Sequence, residues 1–263
     1  MPAATGTWQE IAATLRPPPN SADGPLPPLL LTLTVVTGLV DATSYLKLGH
    51  VFVANMTGNV VFLGFGIAGA GGISVWASLT ALASFLVGAI VGGRIGARLA
   101  NDRGRHLTAT TNTELLLVSA ALVVAALSAH HVGTANRYAL IVLLAIAMGL
   151  QNSGARKLAV PDISTTVLTT TLTGLAADTA LAGGHGWKLG RRALSVTAML
   201  LGAVIGGALV LNVDNPAPLA FAAGLLAAVS FYTHRTSRST PPWTHASAQP
   251  SQRGDPGATS PVS

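Results

Sequence analysis

Polar residues interrupt a stretch of this sequence that is otherwise built of long apolar runs. They are Asp41, Asn55, Thr57 and Asn59. A carboxylate inside a membrane span costs ~2.5–3.5 kcal/mol on insertion scales, so it normally faces the interior of a helical bundle and has a partner. Asp41 could therefore carry a proton, bind a cation, or pair with Lys47 or Arg156. The plainer alternative is an interfacial Asp near the end of the first span.

A weaker copy of this stretch lies about 110 residues further along the chain. The matching groups are Gly38-Leu39 with Gly149-Leu150, Asp41 with Asn152, and Met56-Thr57-Gly58 with Leu172-Thr173-Gly174. The match needs a small gap and an insertion of several residues. We interpret it as an internal duplication.

Together the two copies supply the candidate substrate-binding residues. They are Asp41, Asn55, Thr57, Asn59, Gln151, Asn152, Thr169 and Thr173. Two non-helical segments that meet within a membrane would place helix ends, amides and hydroxyls around a common solute pathway. The alternative is helix packing, because Thr bonds its own helix backbone and small polar residues are normal where membrane helices touch. Glu114 is interpreted as a residue at a helix start, where the helix dipole stabilises its charge.

The composition indicates a polytopic α-helical membrane protein. Charged residues make up only 9% of the chain and its mean hydropathy is +0.55, whereas soluble domains carry roughly 25% charged residues. The net charge of +6 comes from basic residues in short loops between apolar runs. Charge placed there is explained by membrane orientation rather than by nucleic acid binding. The absence of cysteine excludes disulfides, thiolate catalysis and cysteine-ligated metals.

The basic residues also test which apolar runs cross the membrane. Eight runs are present: 28–46, 51–69, 73–93, 113–129, 138–155, 163–183, 193–211 and 217–232. If all eight cross, seven Lys and Arg residues lie on one side and eight on the other. If 51–69 and 163–183 each enter and leave on one side, the split becomes thirteen against two, as the positive-inside rule requires. Full crossing by 51–69 alone gives the same split, so seven spans remain an alternative.

We therefore predict an all-α bundle of six full spans and two re-entrant segments, arranged as an inverted repeat. Residues 1–27 are expected to form a flexible arm with a short helix around Trp8–Leu15. Residues 28–232 form one membrane domain, with repeats at about 28–130 and 138–232. The Ser-, Thr- and Pro-rich tail from 233 to 263 is expected to be disordered. Both termini are placed in the cytoplasm of a bacterial cell with the chain in its inner membrane.

Two motifs carry a resemblance to a known family. They are GLVDATSYLKLGHVFVANMTGN and AMGLQNSGARKL. With them the chain resembles the YoaK family, small bacterial multi-pass membrane proteins of unknown function, from about Leu29 to Tyr232. The resemblance implies a membrane location, and no established activity comes with it.

The leading functional hypothesis is a transporter or channel for an unidentified small solute. The alternative is a non-transporting membrane subunit that assembles with partners or senses a signal. An enzyme is not expected, because the chain has no HExxH or GxSxG motif and no acid–base constellation. The expected partners are the lipid bilayer and a small solute but no nucleic acid, and self-association is left open.

No cofactor and no metal are expected. His130-His131 are adjacent on the chain, so they point to different faces of a helix, and no third ligand is evident. The small-residue runs GAIVGG (88–93) and GAVIGG (202–207) predict close contacts between helices instead.

Overall fold

The computed structural model describes residues 6–18, 21–128, 133–160, 168–177, 189–213, 216–237 and 242–244. Within these ranges the chain is helical and contains no strand. The α-helices are α1 (Thr7–Leu15), α2 (Leu26–Lys47), α3 (Met56–Ile67), α4 (Val75–Arg98), α5 (Arg103–Leu127), α6 (Thr134–Leu158), α7 (Leu168–Ala177), α8 (Leu189–Asn212) and α9 (Ala217–Ser237). The predicted histidine pair His130-His131 and parts of the run 163–183 lie outside the described residues.

Six of these helices are long and apolar enough to cross a membrane: α2, α4, α5, α6, α8 and α9. By contrast, α3 has only 12 residues. It therefore rises about 18 Å, less than the ~30 Å of a hydrocarbon core. The prediction of a polytopic helical bundle is confirmed, and the helix lengths favour six spans over seven.

Glycines set the closest helix crossings, and these fix the direction of the helices. A Cβ at Gly88 of α4 would overlap the carbonyl oxygen of Ile146, and one at Gly96 would lie 3.1 Å from Lys157. Because both sets of numbers increase together, α4 and α6 run parallel. Gly202 of α8 meets Val35 and Gly206 meets Leu39 in the same way, so α2 and α8 are also parallel. The predicted glycine contact faces are thus confirmed.

One end of the bundle is held together by charged residues, and we call it the basic end. The guanidinium of Arg103 donates to the carbonyl oxygen of Leu158 at 2.8 Å and contacts Asp23 at 3.3 Å. Asp23 also contacts Arg191 at 3.6 Å. The start of α5, the end of α6 and the start of α8 therefore lie together at this end.

The N-terminal arm also packs onto the basic end. A side-chain oxygen of Glu10 accepts a hydrogen bond from the backbone N–H of Gly190 at 3.1 Å. Trp243 packs beside Gly24 and is 5% exposed. The predicted short helix is present as α1, but the arm that we expected to be flexible contains a docked helix.

The opposite end of the bundle contains Gly49, where an added Cβ would overlap the guanidinium of Arg137 at the start of α6. Since α4 runs parallel to α6, α4 also begins at this end. The connection from α2 to α4, which contains α3, therefore leaves and returns at one end. The connection from α6 to α8, which contains α7, leaves and returns at the basic end.

Candidate functional site

Helical structure is interrupted immediately after α2, although the chain is continuous. Gly49 and His50 adopt positive φ angles of 89° and 57°, which turn the chain back toward the bundle. Residues 51–55 follow without helical structure, and we call them the broken segment. Asp41 lies six residues before the end of α2, or about 9 Å along its axis. The broken segment thus reaches back below the end of the helix.

Asp41 holds this broken segment through its backbone. Its Oδ1 accepts hydrogen bonds from the N–H groups of Val53 at 3.0 Å and Ala54 at 2.8 Å. The residue is only 4% exposed, and its Oδ2 is buried without a hydrogen-bond partner among the described residues. The expected alternatives, ion pairs with Lys47 or Arg156, are not what the structure shows. Both cations are exposed near the ends of their helices, and those ends are opposite ends of the bundle.

Asn59 completes the support of the broken segment. Its Oδ1 accepts from the N–H of Phe52 at 2.9 Å, while its Nδ2 donates to the carbonyl oxygen of Phe52 at 2.6 Å. Asn55 caps α3, because its Oδ1 accepts from the N–H of Gly58 at 3.4 Å. Lipid cannot satisfy free backbone groups, so these side chains supply bonds that the missing helix would have made.

Aromatic rings fix α3 against the end of α2. The rings of Tyr45 and Phe52 stack with centroids 5.0 Å apart, and Phe52 stacks on Phe62 at 5.7 Å. Such offset pairs contribute about 0.5–1.5 kcal/mol beyond their area burial. The aromatic stack joins α2, the broken segment and α3 into one unit.

Gln151 lies elsewhere, at the contact between α6 and the middle of α2. Its Nε2 donates to Thr37 Oγ1 at 2.7 Å and to the carbonyl oxygen of Leu33 at 3.3 Å. A backbone carbonyl can only accept, so the NH2 group must face α2. The amide oxygen Oε1 is therefore turned away from α2, and it is buried without a partner. Asn152 is half-buried and has a polar partner of its own.

The eight predicted site residues thus form three groups. Asp41, Asn55 and Asn59 surround the broken segment, and Gln151 with Asn152 lies on α6. The remaining three threonines are exposed on the two short helices: Thr57, Thr169 and Thr173. In the described residues α3 packs on α4, and α7 packs on α8. A common solute site between the two segments stays a prediction.

Glu114 is the polar residue whose position the sequence analysis missed. It is the twelfth of the 25 residues of α5, so it lies at mid-helix and not at a helix start. The expectation was wrong because α5 begins ten residues before Thr113, where Asp102 caps the helix by accepting from the N–H of Arg105 at 2.8 Å.

The polar stretch before Glu114 remains helical because its threonines bond the helix itself. Thr110 Oγ1 donates to the carbonyl oxygen of His106 at 2.9 Å, and Thr113 Oγ1 donates to that of Ala109 at 3.0 Å. Such bonds satisfy hydroxyls that would otherwise need water. The signal in the sequence was the spacing of Leu107, Glu114, Val118 and Ala121, which places Glu114 on the buried face of α5.

Helix register places Glu114 at the depth of Gln151. A Cβ at Gly154 of α6 would lie 3.2 Å from the side chain of Thr110 on α5. The two helices are antiparallel, because α5 starts and α6 ends at the basic end. One turn further from that end, Glu114 on α5 and Gln151 on α6 therefore lie at the same level. Glu114 is 1% exposed.

Comparison with known proteins places this chain among membrane proteins without a known activity. The family model described as a protein of unknown function (DUF1275) matches residues 29–232. The UPF0700 transmembrane protein YoaK of Bacillus subtilis (strain 168) is 40% identical over 151 residues. This match covers 57% of the present chain and 65% of the relative, a little less than two thirds of its length. No solved structure matches the chain.

Proposed function

We propose that this chain, which belongs to the DUF1275 family by its match over residues 29–232, transports or conducts a small solute across a membrane. The resemblance to the YoaK family is confirmed, and the six apolar helices establish a multi-pass membrane protein. The family brings no activity with it, so the proposal depends on the geometry described above. It includes no enzymatic reaction.

The observation that carries the proposal is the broken segment at residues 51–55. Non-helical backbone at membrane depth is tolerated only where it is buried in protein or lines a water-filled cavity. Transporters use such breaks to expose helix ends and backbone groups to their substrates. Here Asp41 and Asn59 hold the break in place with four hydrogen bonds to backbone groups.

The proposed inverted repeat is supported by equivalent glycine contacts in the two halves. Gly202 meets Val35 and Gly88 meets Ile146; Gly206 meets Leu39 and Gly92 meets Leu150. The contacted residues differ by 111 positions in both cases, and the glycines by 114 in both cases. The helices of each matched pair, α2 with α6 and α4 with α8, run in opposite directions. Rocking of one helix pair against the other would expose a central site to each side in turn.

The proposed orientation places the basic end in the cytoplasm. Arg94, Arg98, Arg103 and Arg105 lie at this end, as do both the N-terminal arm and the end of α9. Positive residues accumulate in cytoplasmic loops. We therefore propose that both described chain ends face the cytoplasm and that the membrane is the bacterial inner membrane.

One observation favours the alternative of a non-transporting subunit. Asp41 and Asn59 use their hydrogen bonds on backbone groups of the chain itself, as a purely architectural residue would. In that case these residues would affect stability and leave solute flux unaltered. The two functions therefore differ in what Asp41→Asn should change.

The test is solute flux in liposomes that contain the purified full chain. Stopped-flow light scattering would follow their shrinkage and reswelling after addition of glycerol, urea, alanine or potassium chloride in turn. We expect at least one of these to enter faster than into protein-free liposomes, and Asp41→Asn to remove the difference at equal protein incorporation. Asp102→Asn is the matched control, since it makes the same change of charge at the N-cap of α5, at the basic end and away from the broken segment. Asn also caps helices, so the fold should be retained. Equal entry rates with and without protein for every solute would contradict the proposal.

A further inference from the structure

Among the described residues, the Thr111 hydroxyl on α5 has no hydrogen-bond partner, and neither do three buried acceptor oxygens of the bundle interior. The three acceptors are Glu114 Oε1, Gln151 Oε1 and Asp41 Oδ2. The three residues are 1%, 2% and 4% exposed. All three atoms can only accept when the carboxylates are ionised. A buried carboxylate without a charged partner is strongly unfavourable, and the Thr111 hydroxyl can donate a hydrogen bond but carries no charge. The described interior therefore lacks a positive charge at this level.

These atoms belong to side chains at the same or neighbouring levels of three helices. Gln151 contacts Thr37 at 2.7 Å, and Asp41 lies one turn further along α2 on the same buried face. Residues four apart on a helix have Cβ atoms about 5–6 Å apart. The register between α5 and α6 places Glu114 at the level of Gln151. The acceptors thus come from α2, α5 and α6.

No fixed cation reaches this level among the described residues. On the helices that pack against α5, most basic side chains lie toward the basic end: Arg94, Arg98, Arg156, Lys157, His234 and Arg235. Arg137 lies at the opposite end of α6 beside Gly49, about 21 Å along the helix from Gln151. On α5 itself, Arg103 bonds Leu158, and His106 lies beside Gly96 together with Lys157. His106 is eight residues from Glu114, or about 12 Å along the helix. Among the described residues, the helices that pack against α5 carry no acidic side chain, and the acidic residue nearest in level is Asp41 on α2.

We propose that Glu114 binds a monovalent cation, with Gln151 Oε1 as a neutral oxygen partner. A single carboxylate balances a single positive charge, and carboxylate and amide oxygens suit a proton or an alkali metal ion. Intramembrane carboxylates that face a bundle interior mark ion pathways and proton relays. If the proposed transport function holds, this cation is the ion that drives or accompanies the solute. The binding of the cation itself does not depend on transport.

The test measures thermal unfolding of the detergent-solubilised full chain by tryptophan fluorescence. Sodium, potassium and choline chloride are compared at equal ionic strength, each from pH 5 to pH 9. An alkali metal ion at Glu114 raises the Tm in sodium or potassium over choline, by roughly 5 °C or more once the ion is a hundredfold above its Kd. A proton at Glu114 raises the Tm on acidification equally in all three salts. Either pattern supports the proposal if Glu114→Gln removes it.

Asp102→Asn is the control, and it must retain the response of the original chain. An identical salt and pH response in Glu114→Gln and the original chain overturns the proposal, as does the absence of any response in the original chain. Should Glu114→Gln fail to fold, Glu114→Asp keeps the charge and moves it by one methylene. It should shift the half-maximal ion concentration about tenfold or more, and an unchanged midpoint contradicts the proposal.

This experiment separates the cation site from transport. It needs no membrane and no flux, so the absence of an ion response in the original chain disproves the site whether or not the chain transports. An intact ion response without flux in liposomes would leave the cation site standing and reject the transport function.

Discussion

The two copies of the polar segment are supported by different chemistry. In the first copy Asp41 accepts from two backbone N–H groups and Asn59 bonds both polar groups of Phe52. In the second copy Asn152 stands in place of Asp41, and Leu175 follows the matched Thr173-Gly174 where Asn59 follows Thr57-Gly58. At these two matched positions the first copy thus carries a carboxylate and an amide, whereas the second carries an amide and an apolar side chain.

The neighbours of the matched glycines differ in the same direction. A Cβ at Gly58 would lie 2.8 Å from the ring of Phe52, whereas one at Gly174 would lie 2.5 Å from the guanidinium of Arg192. The first short helix is therefore packed by an aromatic stack and the second by a basic side chain. Under the proposed inverted repeat, the helical frame is common to both halves, whereas the polar side chains differ between them.

The comparison of Asp41 with Asn152 also raises the question of why position 41 carries a carboxylate. An amide oxygen can accept the same backbone hydrogen bonds as a carboxylate, and it loses far less solvation free energy on burial. Holding the broken segment therefore does not require a charge at position 41. Under the proposed function, the charge allows an ion or a solute to bind at Oδ2.

The largest effect is expected at the glycine crossings, where the halves should behave alike. Gly88→Ala and Gly202→Ala each place a methyl group against a backbone carbonyl, of Ile146 and of Val35. Backbone cannot move as easily as a side chain, so each change should destabilise the fold by about 3 kcal/mol or more. Thermal unfolding of the purified chain measures it. Gly93→Ala is the control, since a Cβ there meets nothing within 4 Å. A loss of stability in Gly88→Ala without a similar loss in Gly202→Ala would contradict the equivalence of the two halves.

The next effect is expected at Asn59, where the copies should differ. Asn59→Leu introduces the residue of the second copy and leaves the N–H and carbonyl of Phe52 without their partner. The lost bonds should cost about 2–4 kcal/mol of unfolding free energy, because each unsatisfied buried group costs 1–3 kcal/mol. The reciprocal change Leu175→Asn should cost clearly less. Equal losses in the two variants would show that the segments are supported alike.

A smaller effect on stability, but a large one on flux, is expected at Asp41. Asp41→Asn keeps an acceptor oxygen for Val53 and Ala54, so the unfolding free energy should fall by only about 1 kcal/mol. Asp41→Ala removes the acceptor and should cost about twice as much or more. Unfolding and liposome flux measured on both variants separate charge from architecture. Normal flux in Asp41→Asn would assign the residue to architecture alone.

The smallest effect is expected at Asn55, which caps α3 through a long bond of 3.4 Å to the N–H of Gly58. Asn55→Ala should lower the unfolding free energy by about 0.5–1 kcal/mol, the lower part of the range for an N-cap. Asn55→Ser keeps a capping oxygen and should be nearly neutral. A loss well above 2 kcal/mol would mean that Asn55 bonds more than its own helix end.

The helical frame could be predicted from the sequence because its determinants are local. Apolar runs and the glycine motifs 88–93 and 202–207 act through spacing along one helix, and they predict the bundle of spanning helices. The choice of six spans over seven came from the short length of α3, because the charge pattern left both open. The partners of Asp41 could not be predicted in this way. They depend on how far the chain turns back after Gly49, which is set by tertiary packing.

Glu114 shows a second limit of local patterns. The polar stretch from His106 to Thr113 resembles a loop by composition, but its threonines satisfy their hydroxyls on the helix backbone. The apolar run therefore gave a helix start ten residues too late. A carboxylate at mid-helix was mistaken for one at a helix end.

The central claim is that the segment from Leu48 to Ser74 enters and leaves at one face of the membrane. The chain has no cysteine, so single cysteines at His50, Gly71 and Asn101 can be labelled with a membrane-impermeant maleimide on intact cells. All three positions are exposed. We expect labelling at 50 and 71 and none at 101 until the cells are opened. Labelling of only one of positions 50 and 71 would mean that the segment crosses the membrane, and it would contradict the account.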